Sequence, residues 1–294
     1  MNPPNVLWLS VSPYLKCLDQ RLLCRLTTAA TVRRWEYCQT IDEPCCIQLM
    51  VNALHEYVSD RSALEKSFGN PSSKIHLAGH GVSGIVALLY AQAHPEQVAS
   101  LTLLSVAAQP ASNWQAHYYA LRQLLPCSRE MILAQMTRLL FGPQTARFTK
   151  ALSGLLASDL DSSLTLHSLA HRTQITPGQT QVPLLVCNGE LDAIAGDIND
   201  ANWQKWQIER SLAPSSDTDI SSVSTDEPGA IAHPSFRLWH CPKGNHFFHF
   251  YHSATVAETI SAHWRASALA ATTPQKPFSS ATKHPTGHRI TQLA

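Results

Sequence analysis

Short apolar segments alternate with amphipathic ones along the first part of the chain. Each apolar segment is typical of a buried strand, and the spacing of apolar residues over 14–26 and 44–60 predicts helices. Strands joined in this way must run parallel, with right-handed crossovers. The pattern therefore predicts an α/β protein with helices on both faces of a mostly parallel sheet. Its first four predicted strands cover residues 5–11, 31–38, 74–79 and 100–106.

The alternation stops after the fourth strand, where three successive segments predict helices. Strand patterns return at Val182 and at Ser235, with helices predicted over residues 202–212 and 254–269. Two segments have no apolar period, one rich in serine and aspartate and one at the end of the chain. The predicted organisation is a core (residues 1–108 and 180–268), a helical cap (109–179), a flexible polar insertion (213–234) and a disordered tail (270–294).

Composition narrows the choice of partners. The chain has 22 basic and 21 acidic residues and 44% hydrophobic residues. Nearly balanced charge disfavours nucleic acid as a partner. No segment approaches the ~20 apolar residues of a membrane span, and the first residues lack the features of a secretory signal, so a cytoplasmic protein is expected. The eight cysteines are scattered and without a CxxC pair, which predicts reduced thiols, with Cys187 and Cys241 in the core.

Three motifs, in chain order, resemble those of the α/β-hydrolase fold. The sequence GHGVSG (79–84), between a predicted strand and a helix, resembles the nucleophile elbow. Asp192 matches the acid of the family's triad, and His246 in KGNHFF matches its histidine. The resemblance implies a hydrolase-type sheet that lacks the family's first two strands. In addition, RWEYCQTIDEP (34–44) resembles a group of uncharacterised cyanobacterial proteins with this fold.

The nucleophile position of the elbow is Gly81, which has no reactive side chain. Removing a triad nucleophile can lower turnover by a factor on the order of 10^6, whereas glycine tolerates positive φ without steric cost. Ser83 is a poor substitute because residues two apart on a helix do not share a face, and its hydroxyl is expected to bind a backbone amide. The expected oxyanion donors are the amides of Val82 and of Val11 or Ser12.

Three functions remain open. The first is a degenerate, non-catalytic member that acts in binding, as a scaffold or in regulation, with a small apolar ligand or a protein partner. The second is a serine-independent enzyme that uses His246 and Asp192 as a general base. The third is a weak carboxylic ester hydrolase using Ser83 or water. No cofactor is expected, and no metal either, because no cysteine or carboxylate cluster accompanies His246, His249 and His252.

Overall fold

The computed structural model describes residues 3–12, 14–37, 46–69, 74–107, 113–162, 180, 182–195, 200–205 and 235–272. Within these ranges six strands form one sheet in which every neighbouring pair is parallel, in the order β2-β1-β3-β4-β5-β6. The predicted α/β class with a mostly parallel sheet is confirmed. The strands are β1 (Asn5–Ser10), β2 (Thr31–Glu36), β3 (Ile75–His80), β4 (Val98–Leu104), β5 (Leu184–Gly189) and β6 (Phe236–Cys241).

Helices connect the strands, and none in the described part of the chain is long and apolar enough to cross a membrane. Short 3-10 turns cover Lys16–Asp19 and Pro95–Gln97. The helices are α1 (Gln20–Leu26), α2 (Ile47–Ser59), α3 (Arg61–Phe68), α4 (Val82–Ala93), α5 (Trp114–Leu124), α6 (Arg129–Phe141), α7 (Ala146–Leu160), α8 (described over 200–205), α9 (Phe248–Tyr251) and α10 (Ser253–Thr272).

Two helices differ from those predicted. Helix α3 was not expected; it begins where the Asp60 carboxylate accepts hydrogen bonds from the amides of Ser62 and Ala63. Helix α10 continues to Thr272, into the segment predicted as a tail, because alanines favour helix without an apolar period. The predicted insertion 213–234 and the tail beyond residue 272 lie outside the described residues.

Three hydrophobic clusters show how these elements pack. One joins a face of the sheet to α2, α4 and α8, and a second joins the opposite face to α1 and α10. The third lies among α5, α6 and α7, the described part of the predicted cap, and it includes Leu15, Leu18 and Phe247. The segments after β1 and β6 therefore pack against these helices, and this contact brings the start of α5 close to the elbow.

Candidate active site

The turn between β3 and α4 is the segment that was predicted to be a nucleophile elbow. Gly81 lies between the two elements with φ 53° and ψ −125°, a region that residues other than glycine rarely adopt. Its amide donates to the Leu104 carbonyl at 2.9 Å, and its carbonyl accepts from the Ile85 amide at 3.1 Å. A Cβ at Gly81 would meet no atom within 4 Å, so a side chain would have room there.

The glycines on either side of Gly81 are required for a different reason. A Cβ at Gly79 would lie 2.7 Å from the Ser83 carbonyl carbon, and one at Gly84 would lie 2.9 Å from the Gly79 carbonyl oxygen and also clash with Val106. Contacts this close leave no space for a side chain. Gly79 and Gly84 thus let β3 and α4 approach each other, whereas the constraint at Gly81 is conformational.

Ser83 is buried next to this turn. Its Oγ accepts a hydrogen bond from the Val11 amide at 3.1 Å. The hydroxyl therefore binds the backbone of the segment after β1 instead of capping α4. This bond occupies one of the amides that the sequence analysis expected to stabilise an oxyanion.

The structure brings the other two predicted triad residues together. Asp192 follows β5 and His246 follows β6, and His246 Nδ1 lies 3.0 Å from Asp192 Oδ2. Both side chains are buried, with exposures of 2% for His246 and 0% for Asp192. Burial by itself raises the pKa of Asp192, but His246 and the amides of Ala195 and Ile194 lower it more, so the net pKa falls below its ordinary value. The carboxylate is thus held ionised.

His80, which the sequence analysis did not single out, contacts this pair. Its Nε2–H donates to the His246 carbonyl at 3.0 Å, and Ser105 Oγ donates to the same carbonyl at 2.8 Å. The His80 ring stacks on Phe247 with centroids 4.6 Å apart. Burial lowers the pKa of His80 well below its ordinary value, and His249 and His246 lower it further. His80 is therefore a neutral ring that helps to fix the His246 backbone.

A second acid–histidine pair lies beside the first. His249 Nε2 is 3.0 Å from Asp19 Oδ1, and Trp8 Nε1–H donates to Asp19 Oδ2 at 2.8 Å. The histidines at 246 and 249 thus pair with different carboxylates. Among the residues the structure describes, no three histidine, cysteine, aspartate or glutamate side chains form a group that could hold a metal ion.

The buried thiols do not provide a substitute nucleophile. Cys187 and Cys241 are both fully buried. Burial raises the pKa of the Cys187 thiol, and it raises the pKa of the Cys241 thiol to about 11. A thiol with a raised pKa carries little of the reactive thiolate. Both cysteines therefore belong to the core.

A small cavity of about 40 Å³ lies at the elbow, and its lining joins several elements. A space of this size holds a few water molecules or one small chemical group. Val11 and Asp192 lie one hydrogen bond further back, bound to Ser83 and His246. The other predicted site residues all line the cavity: Ser12, Gly81, Val82, Ser83 and His246. Three residues that were not predicted line it as well, Asp19 and, at the start of α5, Asn113 and Gln115.

The six-stranded parallel sheet and its connecting helices have the α/β-hydrolase fold. Solved structures that share it include a membrane phospholipase A (TM-score 0.61, 14% identity, covering 91% of this chain and 80% of that one). A thermophilic esterase from Thermogutta terrifontis is similar at TM-score 0.60 and 17% identity, covering 90% and 91%. A serine hydrolase from Cycloclasticus zankles is similar at TM-score 0.59 and 13% identity, covering 90% and 91%. These likenesses show the fold alone.

Closer relatives are cyanobacterial, and no family model matches the chain. The chain is 36% identical over 265 residues to the uncharacterized protein sll0249 of Synechocystis sp., covering 90% of this chain and 92% of that protein. It is 35% identical over 261 residues to the uncharacterized protein alr2406 of Nostoc sp., covering 89% and 90%. The chain belongs to the family of these two proteins.

Proposed function

We propose that this protein is a non-catalytic α/β-hydrolase relative that binds a small ligand in the cavity at Gly81. The observation that carries the proposal is Gly81 itself, which keeps the elbow conformation at φ 53° without a reactive atom. Covalent hydrolysis needs a nucleophile beside the histidine base, and this turn provides none. The turn therefore contributes shape and backbone amides to a binding site.

The surroundings of Gly81 support binding without turnover. Because Ser83 Oγ already accepts from the Val11 amide, the expected oxyanion site has one donor engaged before any ligand arrives. Serine and asparagine side chains line the cavity at Ser10, Ser12 and Asn113. These side chains favour a polar ligand over the apolar one that the sequence suggested.

A second candidate function rests on the Asp192–His246 pair. His246 lines the cavity, and its Nδ1 is bound to the carboxylate, which leaves Nε2 as the ring nitrogen for a reacting group. A histidine oriented in this way can take a proton from water or from a substrate as a general base. Such an enzyme would need neither Ser83 nor a side chain at residue 81.

Ester hydrolysis and active-site labelling test the proposal. Wild type, Gly81→Ser, Ser83→Ala and His246→Ala would be assayed with p-nitrophenyl acetate and with a fluorophosphonate probe. We expect no labelling of the wild type, and no wild-type rate above that of His246→Ala. Gly81→Ser should gain labelling because a Cβ there has room. Gly154→Ser is the matched control, since a Cβ at Gly154 also meets nothing within 4 Å.

The outcomes separate the candidates. Labelling of wild type that disappears in Ser83→Ala would overturn the proposal and favour a weak ester hydrolase. Unlabelled wild type whose hydrolysis falls in His246→Ala would favour the general-base enzyme. A silent wild type beside an active Gly81→Ser supports a binding site that retains hydrolase geometry without the nucleophile.

A further inference from the structure

Two residues at the start of α5 line the cavity, and each has one side-chain amide atom without a hydrogen-bond partner among the described residues. Asn113 and Gln115 are exposed by only 5% and 2%, and both line the cavity. Neither Asn113 Nδ2 nor Gln115 Oε1 has a hydrogen-bond partner among the residues that the structure describes. A buried polar atom without a partner destabilises a protein, so these two atoms suggest a ligand that supplies the missing bonds.

The other end of each side-chain amide is hydrogen-bonded, and this bond determines whether the free end is a donor or an acceptor. Asn113 Oδ1 accepts from the Ala116 amide at 2.7 Å and caps α5, so Nδ2 is left as a donor. Gln115 Nε2 donates to Asp159 Oδ2 at 3.1 Å, so Oε1 is left as an acceptor. The wall therefore offers one free donor and one free acceptor, two residues apart.

The unpaired Gln115 acceptor disfavours an anion. Asp19 also lines the cavity, but its two oxygens are already bound to His249 and Trp8. Lys16 lines the cavity too, and its Nζ lies 2.8 Å from Glu36 Oε2. A carboxylate ligand has only acceptors, so it could not satisfy Gln115 Oε1.

We propose that Asn113 and Gln115 form a recognition site for the primary amide group of a small neutral ligand. The ligand carbonyl accepts from Asn113 Nδ2, and the ligand N–H donates to Gln115 Oε1. A carboxylate of the same shape lacks the donor, so it leaves the Gln115 acceptor unpaired. This inference rests on the proposed binding function and names the chemical class of its ligand. The cavity of about 40 Å³ limits the recognised part to a group of acetamide size.

Acetamide and acetate are matched probes because they differ only in the group that should decide binding. Their dissociation constants would be measured with the full-length protein by ligand-observed NMR titration at neutral pH. We expect acetamide to bind in the millimolar range, since a molecule this small has few atoms to contribute. Acetate should bind at least about tenfold more weakly, because a site built around polar partners rejects an analogue that leaves them unpaired.

Substitutions at the two residues locate the preference. Asn113→Asp keeps an oxygen that can cap α5 but replaces the donor with a charged acceptor, so it should weaken acetamide binding about tenfold, and the buried charge should also lower stability. Ser128→Asp adds the same charge at the exposed N-cap of α6 and controls for net charge. Gln115→Met, which removes the acceptor, should also weaken binding, and it keeps the test decisive if Asn113→Asp does not fold.

Equal binding of acetamide and acetate, or no binding of either, would overturn the assignment. So would acetamide binding that neither Asn113→Asp nor Gln115→Met weakens. The same protein samples would be assayed for ester hydrolysis and for ammonia release from acetamide. Hydrolysis of the ester or of acetamide by the wild type would contradict the proposed non-catalytic function, but it would not change the preference for acetamide over acetate. Failure of the proposed function can therefore be distinguished from failure of the amide assignment.

Discussion

The candidate site has two halves that are built differently. In the acid–base half, Asp192 and His246 are both buried and bind each other, and the amides of Ile194 and Ala195 also donate to Asp192. In the nucleophile half, the turn at Gly81 depends on backbone hydrogen bonds and on the close approach of Gly79 and Gly84 to their neighbours. A side chain at residue 81 takes no part in holding that turn.

This difference means that the turn at residue 81 needs no side chain to form, whereas the Asp192–His246 pair needs both of its members. Glycine at residue 81 relieves the strain of a positive φ and leaves the turn in place. Removing His246 or Asp192 alone would leave the other side chain buried with a hydrogen bond unmade, which destabilises the fold whether or not the protein is an enzyme. The presence of the Asp192–His246 pair is therefore not by itself evidence of catalysis.

The largest effect is expected at the steric glycines of the elbow. Gly79→Ala places a Cβ 2.7 Å from the backbone of Ser83, so β3 and α4 must separate. We expect the free energy of unfolding to fall by about 4 kcal/mol or more, as measured by urea denaturation. A loss below about 1 kcal/mol would mean that the turn adapts easily and that its geometry does not depend on close packing.

The second prediction tests the acid–base half as a structural unit. Asp192→Ala should lower the free energy of unfolding by about 3–5 kcal/mol, because it leaves His246 buried without its partner. The pKa of Asp192 lies below the ordinary 3.8, so its contribution is complete above that value and is lost only as pH falls further. The Asp192 carboxylate should therefore remain ionised at both pH 7 and pH 5.

Asp161→Ala is the control for that measurement. Asp161 lies 2.7 Å from Arg129, but its side chain is 60% exposed, and exposed pairs contribute about 0–1 kcal/mol. If Asp192→Ala costs no more than this control, then the pair is not needed for folding. Its presence would then favour the general-base function.

The third prediction concerns the loss of stability in acid caused by two buried histidines, His76 in β3 and His263 in α10. Burial lowers the pKa of His76 and of His263 to about 4 each, with nearby charges adding to the effect. Because the pKa in the folded state is below the ordinary 6.5, each neutral ring contributes stability that is complete above pH 6.5 and is lost as pH falls toward 4. Protonation of each ring should lower the free energy of unfolding by about 3 kcal/mol between pH 6.5 and pH 4.

Urea denaturation between pH 4 and pH 7 measures how the free energy of unfolding depends on pH. Stability of the wild type should fall with acid, and His76→Gln should reduce the slope of stability against pH by about one proton. Tyr57→Phe, which titrates no group in this range, is the control. An unchanged slope in His76→Gln would show that His76 is protonated in the folded state despite its burial.

Local pattern predicted most of the fold. All six described strands were expected because a parallel sheet buried on both faces requires continuous apolar segments. Helix α3 was missed because the predicted helix ended at Asp60, and the short segment after it was given no structure of its own. The short helix α9 lies inside the histidine run and has too few residues for a period to be visible.

The site was predictable only where it is encoded by a local motif. Gly81, Asp192 and His246 each stand in a short segment that can be recognised by itself. The bond between Ser83 and Val11 joins residues 72 apart, and the Asp19–His249 pair joins residues 230 apart. The unpaired ends of Asn113 and Gln115 depend on where α5 and α7 pack. No local pattern predicts such contacts, because the tertiary fold creates them.

The smallest expected effect separates the two kinds of elbow glycine. Gly81→Ala adds a methyl group in open space but at φ 53°, so its only cost is backbone strain of about 1–2 kcal/mol. Gly154→Ala, in the interior of α7, also meets no atom and has no positive φ, so it should raise stability by up to about 1 kcal/mol. Urea denaturation of both variants isolates the strain from the packing. If Gly81→Ala behaves like Gly154→Ala, a side chain at residue 81 does not strain the turn.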